Sequence, residues 1–256
     1  MFEIHASAAS TMDIARENVA AGRVLFDAEG GPDCYGVLAR TQTAGRGQRG
    51  RTWQDIPGES LCATFYLLLP TPERAGEMAF VAGAAVAMAL DETMARVPPP
   101  EPRPIIGLKW PNDILLNEKK TGGILIETAS GPDGQTVALI GLGLNVTTQN
   151  FPPELAESAT SLLREGMTGK TPEAWAETIY AEIQQIASLL QFQGFAAVLG
   201  LWRMYDATPG RRYETEINNE IVQGVAEDVY HTGALVLALD DGRTVAVSSA
   251  SHLSEL

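Results

Sequence analysis

Lys109-Trp110-Pro111-Asn112-Asp113-Ile114-Leu115-Leu116-Asn117-Glu118-Lys119-Lys120-Thr121-Gly122-Gly123-Ile124-Leu125 is the stretch whose reading decides the fold. A strand over 105–108 ends at Lys109. Pro111 then stiffens the turn, and Asn112 and Asp113 set an amide and a carboxylate beside the ammonium. Ile114 to Leu116 reads as a second strand, Asn117-Glu118 as a tight turn, and Gly123 to Thr128 as a third strand. Lys120 falls just across this hairpin, so Lys109 and Lys120 can face one pocket. Gly122-Gly123 leaves the backbone bare beside them, where a ligand can approach closely. The chain has four lysines, and three of them lie between positions 109 and 120.

A second cationic cluster lies upstream in Gly45-Arg46-Gly47-Gln48-Arg49-Gly50-Arg51-Thr52-Trp53. It satisfies G-x-G-x-x-G, but the dinucleotide reading needs a helix directly after the glycines and an acidic residue ~20 positions on. Trp53-Gln54-Asp55-Ile56-Pro57-Gly58 does not make a helix, and the acidic position falls in an apolar strand. A glycine loop presenting Arg46, Arg49 and Arg51 to an anion is the better reading, with Trp53 as an aromatic face for a base. The formal net charge is -14. Positive charge gathered at two places in so acidic a chain points to phosphate or carboxylate, which Arg grips as a fork and Lys neutralises as a point charge.

The 256 residues suit one large domain, or a medium one with a small appendage, and 45% hydrophobic with 20% charged residues suits a packed core. The acidic balance opposes non-specific binding to nucleic acid or anionic membrane. Cys34 and Cys62 form no disulfide framework or metal spacing and read as buried free thiols. His5, His231 and His252 are scattered, which leaves zinc without ligands. No signal pattern and no run of ~18 apolar residues is seen, so the expected location is the cytoplasm.

Along the chain, Ser10 is placed to cap a first helix with Asp13 at the capping-box position, and Gly22 to end it. Strands are predicted at Tyr35 to Thr41, Leu61 to Leu69 and Val137 to Leu144. Thr71-Pro72-Glu73 opens an Ala-rich helix to about Arg96, where Pro98, Pro99, Pro100, Pro102 and Pro104 forbid continuation. Thr171-Pro172-Glu173 opens an amphipathic helix with Trp175, Ile179, Ile183, Ile186 and Leu190 on one face, and a further helix covers Phe195 to Tyr205. From Arg212 the pattern changes to short strands, 212–217, 221–230, 234–239 and 244–248, with turns at Asn218-Asn219 and Asp240-Asp241-Gly242. The expected division is an α/β domain over 1–206 and a small β-barrel over 207–256.

Gly45-Arg46-Gly47-Gln48-Arg49-Gly50-Arg51-x-Trp53, Lys109-Trp110-Pro111-Asn112-Asp113, Lys120-x-Gly122-Gly123-Ile124-Leu125 and Gly141-x-Gly143-x-Asn145, taken together, resemble the motif set of biotin protein ligases over roughly residues 7 to 256. The resemblance implies a mixed β-sheet flanked by helices, related to class II aminoacyl-tRNA synthetases and lipoate ligases, plus an SH3-like C-terminal barrel. It implies that biotin is activated by ATP, with Mg2+, to biotinyl-adenylate and transferred to a lysine of the biotin carboxyl carrier protein of acetyl-CoA carboxylase. Lys120, Arg46, Lys109 and Asp113 are then the catalytic candidates. Ser10, Thr11, Gln42, Arg46, Gly47, Gln48, Lys120 and Gly123 are expected to bind biotin, Ser10, Thr11 and Gln42 matching positions at its ureido ring and valeryl end. Arg49, Arg51, Trp53, Asn112 and Asn145 are expected to bind the nucleotide. No protein metal site is assigned, Mg2+ arriving with ATP.

Two departures from the family pattern stand out. Met12 occupies a position where Asn is common, and Gln48 replaces an Arg of the loop; Asp27 to Cys34 is extra length. Only nine residues precede Ser10, too few for a helix-turn-helix, so no DNA is expected as partner, nor a membrane; a homodimer through sheet edges is compatible. The rival readings are a lipoate or octanoate transferase on the same fold and a non-catalytic biotin-binding module, which would leave Arg46, Lys109 and Lys120 unexplained.

Overall fold

A computed structural model describes residues 1–27, 29–96, 101–217, 220–248 and 253–256. The predicted turn at Asn218-Asn219, Pro98 to Pro100 and His252 lie outside the described residues. In chain order the elements are β1 (Phe2–His5), α1 (Thr11–Ala20), β2 (Gly36–Ala39), β3 (Ser60–Leu69), α2 (Met78–Arg96), β4 (Ile106–Lys109), β5 (Asp113–Leu116), β6 (Lys119–Ser130), β7 (Thr136–Asn145), α3 (Pro172–Gln193), α4 (Phe195–Arg203), β8 (Arg212–Ile217), β9 (Glu220–Val229), β10 (Leu235–Leu239), β11 (Thr244–Val247) and β12 (Leu253–Glu255). A seven-stranded mixed sheet runs β1-β2-β3-β7-β6-β5-β4, parallel only between β1 and β2.

Strand alternation sorts this sheet into two faces. Phe65, Leu67 and Leu69 of β3 and Ala138, Ile140, Leu142 and Leu144 of β7 face the main core. There α2 comes close because it offers Ala82, Ala85 and Ala89, and α3 adds Trp175, Ile179 and Ile183. Residues 72–96 are apolar and long enough to cross a membrane by composition, but 67% of the most apolar window is buried inside the protein. The first six of them, Pro72–Glu77, form a 3-10 turn rather than the predicted start of the α-helix.

The opposite face carries Tyr66, Val137 and Leu139 under α1, which contributes Met12, Ala15 and Val19. Further along β7 the same face should hold two more side chains, but it holds Gly141 and Gly143. These pair with Thr64 and Cys62 on one side and with Leu125 and Gly123 on the other. Gly123 in turn pairs with Asp113, and Asp113 with Lys109. One row of the sheet therefore runs from Cys62 through two bare glycines to a carboxylate and an ammonium. This stripped row forms the floor of a cavity.

The C-terminal strands form a second, antiparallel sheet in the order β11-β10-β9-β8-β12. This is the expected small C-terminal β-structure, and the sheet does not close on itself among the described residues. The edge strands β11 and β12, four and three residues long, do not pair with each other among the described residues. The five-strand count also exceeds the four strands read from sequence, because β12 is too short to show an alternating pattern. The sheet is fastened by Trp110, which is 2% exposed. Its indole Nε1 donates to Gly233 O at 3.0 Å and its backbone N donates to Thr208 Oγ1 at 2.9 Å. Tyr213, Leu235 and Leu237 of this sheet belong to the same apolar cluster as α2 and β3. Trp110→Ala should therefore cost about 3–5 kcal/mol of stability, read as a lower urea midpoint; a change below about 1 kcal/mol would show that Trp110 does not fasten the two sheets.

Candidate active site

The cavity over the glycine row measures about 390 Å³, within the usual range for small-molecule sites. Its wall includes Ser10, Thr11, Gln42, Arg46, Gly47, Gln48, Arg49, Arg51, Trp53, Lys109, Asn112, Asp113, Lys120 and Gly123. Every sequence-predicted site residue except Asn145 is thus brought to one place. Asn145 is 6% exposed and lies behind the wall, where its Nδ2 donates to Thr160 O at 3.1 Å.

One end of the cavity is neutral and polar. Ser10 caps α1 by accepting from Met12 N at 3.3 Å. Gln42 Oε1 accepts from Thr11 N at 2.8 Å, and the Thr11 and Thr64 hydroxyls are 2.8 Å apart. Buried polar groups require partners of this kind, and together they hold a fixed set of donors and acceptors at the mouth of α1. Beneath them, burial and then the Asp55 charge push the Cys62 thiol up to about 12. Cys62 is therefore a neutral thiol under the floor, as the sequence reading expected.

The floor itself is open because of its glycines. A Cβ at Gly143 would come 2.4 Å from Trp53 Cε2, and one at Gly141 2.7 Å from Met12 Cε. A side chain at Gly143 would expel the Trp53 indole, read from the sequence as an aromatic face for a base, and one at Gly141 would displace Met12. The loop carrying the tryptophan is cross-linked by Gly47 N to Arg51 O at 2.7 Å and Trp53 N to Gly45 O at 3.0 Å. Arg49 takes a left-handed φ of 57° and donates to Leu253 O at 2.5 Å, while burial and then Arg51 lower its pKa.

The other end is ionic. Asp113 accepts from Lys120 Nζ at 2.5 Å and pairs with Lys109 Nζ at 3.1 Å. Lys109 also reaches Glu255 at 2.9 Å, and Glu255 pairs with Arg211 at 2.8 Å. Burial opposes the charge on both carboxyls, but Lys120 and Lys109 outweigh it at Asp113, and Lys109 and Arg211 at Glu255, so both pKa values lie below the ordinary carboxylate range. Burial pulls the Lys109 ammonium down, yet Asp113 and Glu255 outweigh it and hold it above its usual value. Lys109, Asp113 and Glu255 are therefore charged at neutral pH, and the Lys109 and Lys120 side chains both line the cavity. Asn112 shapes the turn by donating from Nδ2 to Ile124 O at 2.7 Å.

Several wall residues were not legible as such. Tyr213, Leu253, Ser254 and Glu255 come from the C-terminal sheet, well beyond Asn145 and the last of the motifs, and no motif points to them. Asp13 was read as half of a capping box. Instead it pairs with Arg46 at 2.8 Å and Arg16 at 3.2 Å, and Glu127 joins the same group through contacts with both arginines. Asp13 and Glu127 thereby tie the loop to α1 and β6.

The lowered carboxyl pKa values set the sign of a pH effect. Between the folded and unfolded pKa the unfolded chain holds more protons, so this contribution is complete above the ordinary carboxylate range and is lost as pH falls below about 4. Urea midpoints from pH 6 to 3 should fall less steeply for Glu255→Gln than for the unaltered protein; identical slopes would show that the Glu255 carboxylate is not linked to folding.

The family model for the Biotin/lipoate A/B protein ligase family matches residues 34–145. A Biotin--[acetyl-CoA-carboxylase] ligase of Mycobacterium tuberculosis is 34% identical over 232 residues, covering 88% of this chain and 82% of that protein. That of Paracoccus denitrificans is 33% identical over 217 residues, covering 82% and 86%. The fold is similar to that of the solved biotin protein ligase of Aquifex aeolicus in complex with biotin and ATP, with a TM-score of 0.73 at 22% identity over 100% of this chain and 97% of that one. It is also similar to the Leishmania major enzyme in complex with biotinyl-5-AMP, with a TM-score of 0.60 at 24% identity over 97% and 98%. With two relatives above 30% identity along most of their length, and with the motif residues gathered around one cavity, the chain belongs to the biotin--[acetyl-CoA-carboxylase] ligase family.

Proposed function

We propose that this protein activates biotin with ATP as biotinyl-5'-AMP and transfers the biotinyl group to a lysine of the biotin carboxyl carrier protein of acetyl-CoA carboxylase. The observation that carries the reading is the cavity's polarity: neutral donors and acceptors at one end, and the Lys109, Lys120 and Asp113 cluster at the other. Biotin has the same polarity, a neutral ureido ring and an anionic carboxylate. The Ser10, Thr11, Gln42 and Thr64 end suits the ureido group, whose hydrogen bonds would otherwise be lost on burial. The dithiolane of lipoate gives that end nothing to pair with, which favours biotin over the sister substrate.

Two anions must meet in the first half-reaction. A carboxylate oxygen of biotin attacks the α-phosphorus of ATP, the bond to the β-phosphate bridge breaks, and pyrophosphate leaves with the electron pair. Lys120, with Arg46 from the loop, lowers the repulsion between the reactants and steadies charge on the α-phosphate. Asp113 keeps the two ammonium groups apart and aimed, and Asn112 fixes the turn beneath them. Arg49, Arg51 and Trp53, which line the same cavity, are assigned to the nucleotide. In the second half-reaction the neutral amine of the carrier lysine attacks the acyl carbon, and AMP departs as the acyl–phosphate bond breaks. The attacking amine loses its proton to solvent as the amide forms.

Mg2+ would enter the site with ATP, as part of that substrate. The described residues offer no group of three His, Cys, Asp or Glu that would cage an ion. The wall carboxylates, Asp113 and Glu255, are each engaged by two cations. The catalytic unit is assigned to 1–206 and the C-terminal domain to 207–256, with Tyr213 and Glu255 of the latter completing the wall. The four-residue edge strand β1 offers a pairing surface for a second copy, and the net charge of -14 favours a protein partner met through a local cationic rim over nucleic acid.

Lys120→Ala should lower biotin adenylation about 10²–10³-fold, as removal of one preorganised electrostatic group does elsewhere, with the protein still folded. Near-normal biotin-dependent pyrophosphate exchange by that variant would refute the assignment.

A further inference from the structure

Lys120 sits at an irregularity of the sheet. Leu115 pairs with Lys120 but the preceding Ile114 pairs with Gly122, so Thr121 is an extra residue in β6 and the ladder breaks beside the lysine. A bulge re-aims the neighbouring side chain and leaves its direction under-determined by the ladder alone. Direction is restored by a segment between β7 and α3. Lys120 N donates to Ser158 O at 2.8 Å, and Thr160 N donates to Lys120 O at 2.9 Å. This bracket grips both backbone groups of the lysine.

Glu165 holds the bracket to the hairpin. Its Oε1 accepts from Thr160 Oγ1 at 2.5 Å, and its Oε2 accepts from Asn117 Nδ2 at 2.6 Å. Asn117 lies in the turn three residues before Lys120, at a left-handed φ of 48°. Its amide cannot reverse without loss, because Asn117 Oδ1 accepts from Ile105 N at 3.0 Å. Glu165 makes no ion pair among the described residues, and its carboxylate serves two neutral donors, bonds that charge on the acceptor strengthens. It is absent from the cavity wall.

We infer that Glu165 is a positioning residue for the adenylation step: by joining Asn117 to Thr160 it fixes the bulged backbone of Lys120 and so the place of the ammonium. The inference rests on the adenylation reading above. A misplacement of the ammonium by a fraction of an ångström weakens stabilisation of the transition state more than binding of the ground state.

The test is biotin-dependent pyrophosphate exchange by the full-length unaltered protein, Glu165→Ala, Glu165→Gln, Lys120→Ala and the Lys120→Ala/Glu165→Ala pair, with thermal unfolding of each. Glu165→Ala should lower kcat by about tenfold or more with KM for ATP and biotin changed less than about twofold. Glu165→Gln, which keeps one acceptor, should recover part of the loss. In the Lys120→Ala background the second substitution should cost nothing further, because the effect passes through Lys120. Full additivity, an unchanged kcat, or a loss that merely tracks unfolding at the assay temperature would overturn the inference. Absence of exchange in the unaltered protein would instead overturn the adenylation reading, and Glu165's role in it.

Discussion

Two ammonium groups share one carboxylate in this molecule, and much of the architecture serves that arrangement. Lys109 ends β4, Asp113 begins β5, and Lys120 stands at the bulge of β6. Like charges so close would repel without Asp113 between them, and Asp113 would resist burial without both. The three groups are therefore mutually dependent. The same cluster reaches outward through Glu255 to Arg211, so the docking of the C-terminal sheet and the charge of the site are one network.

The second requirement is empty space beside that charge. It comes from what β6 and β7 omit: alternation continues, but Gly123, Gly141 and Gly143 supply no side chains on the α1 face. Met12 and Trp53 use the room to lie against bare backbone. On the other face the same strands keep Ile124, Leu142 and Leu144 in the core. The sheet is thus anchored fully on one side and hollowed on the other, which allows a rigid floor under a loop that must admit and release ligand.

The parts of this design encoded locally were legible in the sequence. Lys109 to Lys120 reads as strand, turn and hairpin because its strand pairings span fewer than a dozen positions, and the glycines of 141–143 announce close approach. The helices opened by Ser10 and Thr171 follow from caps beside apolar periodicity. What was not legible depends on distant segments. Asp13 looks like a capping residue until Arg46 arrives from another loop to claim it. Asn145, assigned to the nucleotide by the family resemblance, is buried with its Nδ2 on Thr160 O, a partner that no local pattern announces. The small C-terminal β-structure was legible as a run of strands, but its strand order was not, because strand alternation reports faces, not which edges meet. β12, three residues long, carries no pattern by which it could have been found.

The central claim is that the cavity joins biotin to adenylate, and exchange of labelled pyrophosphate into ATP tests it most directly. The purified protein should exchange label with biotin and not with lipoate. Exchange with lipoate alone would place the chain's chemistry in the sister activity, and silence with both acids despite tight biotin binding would contradict an adenylating role altogether.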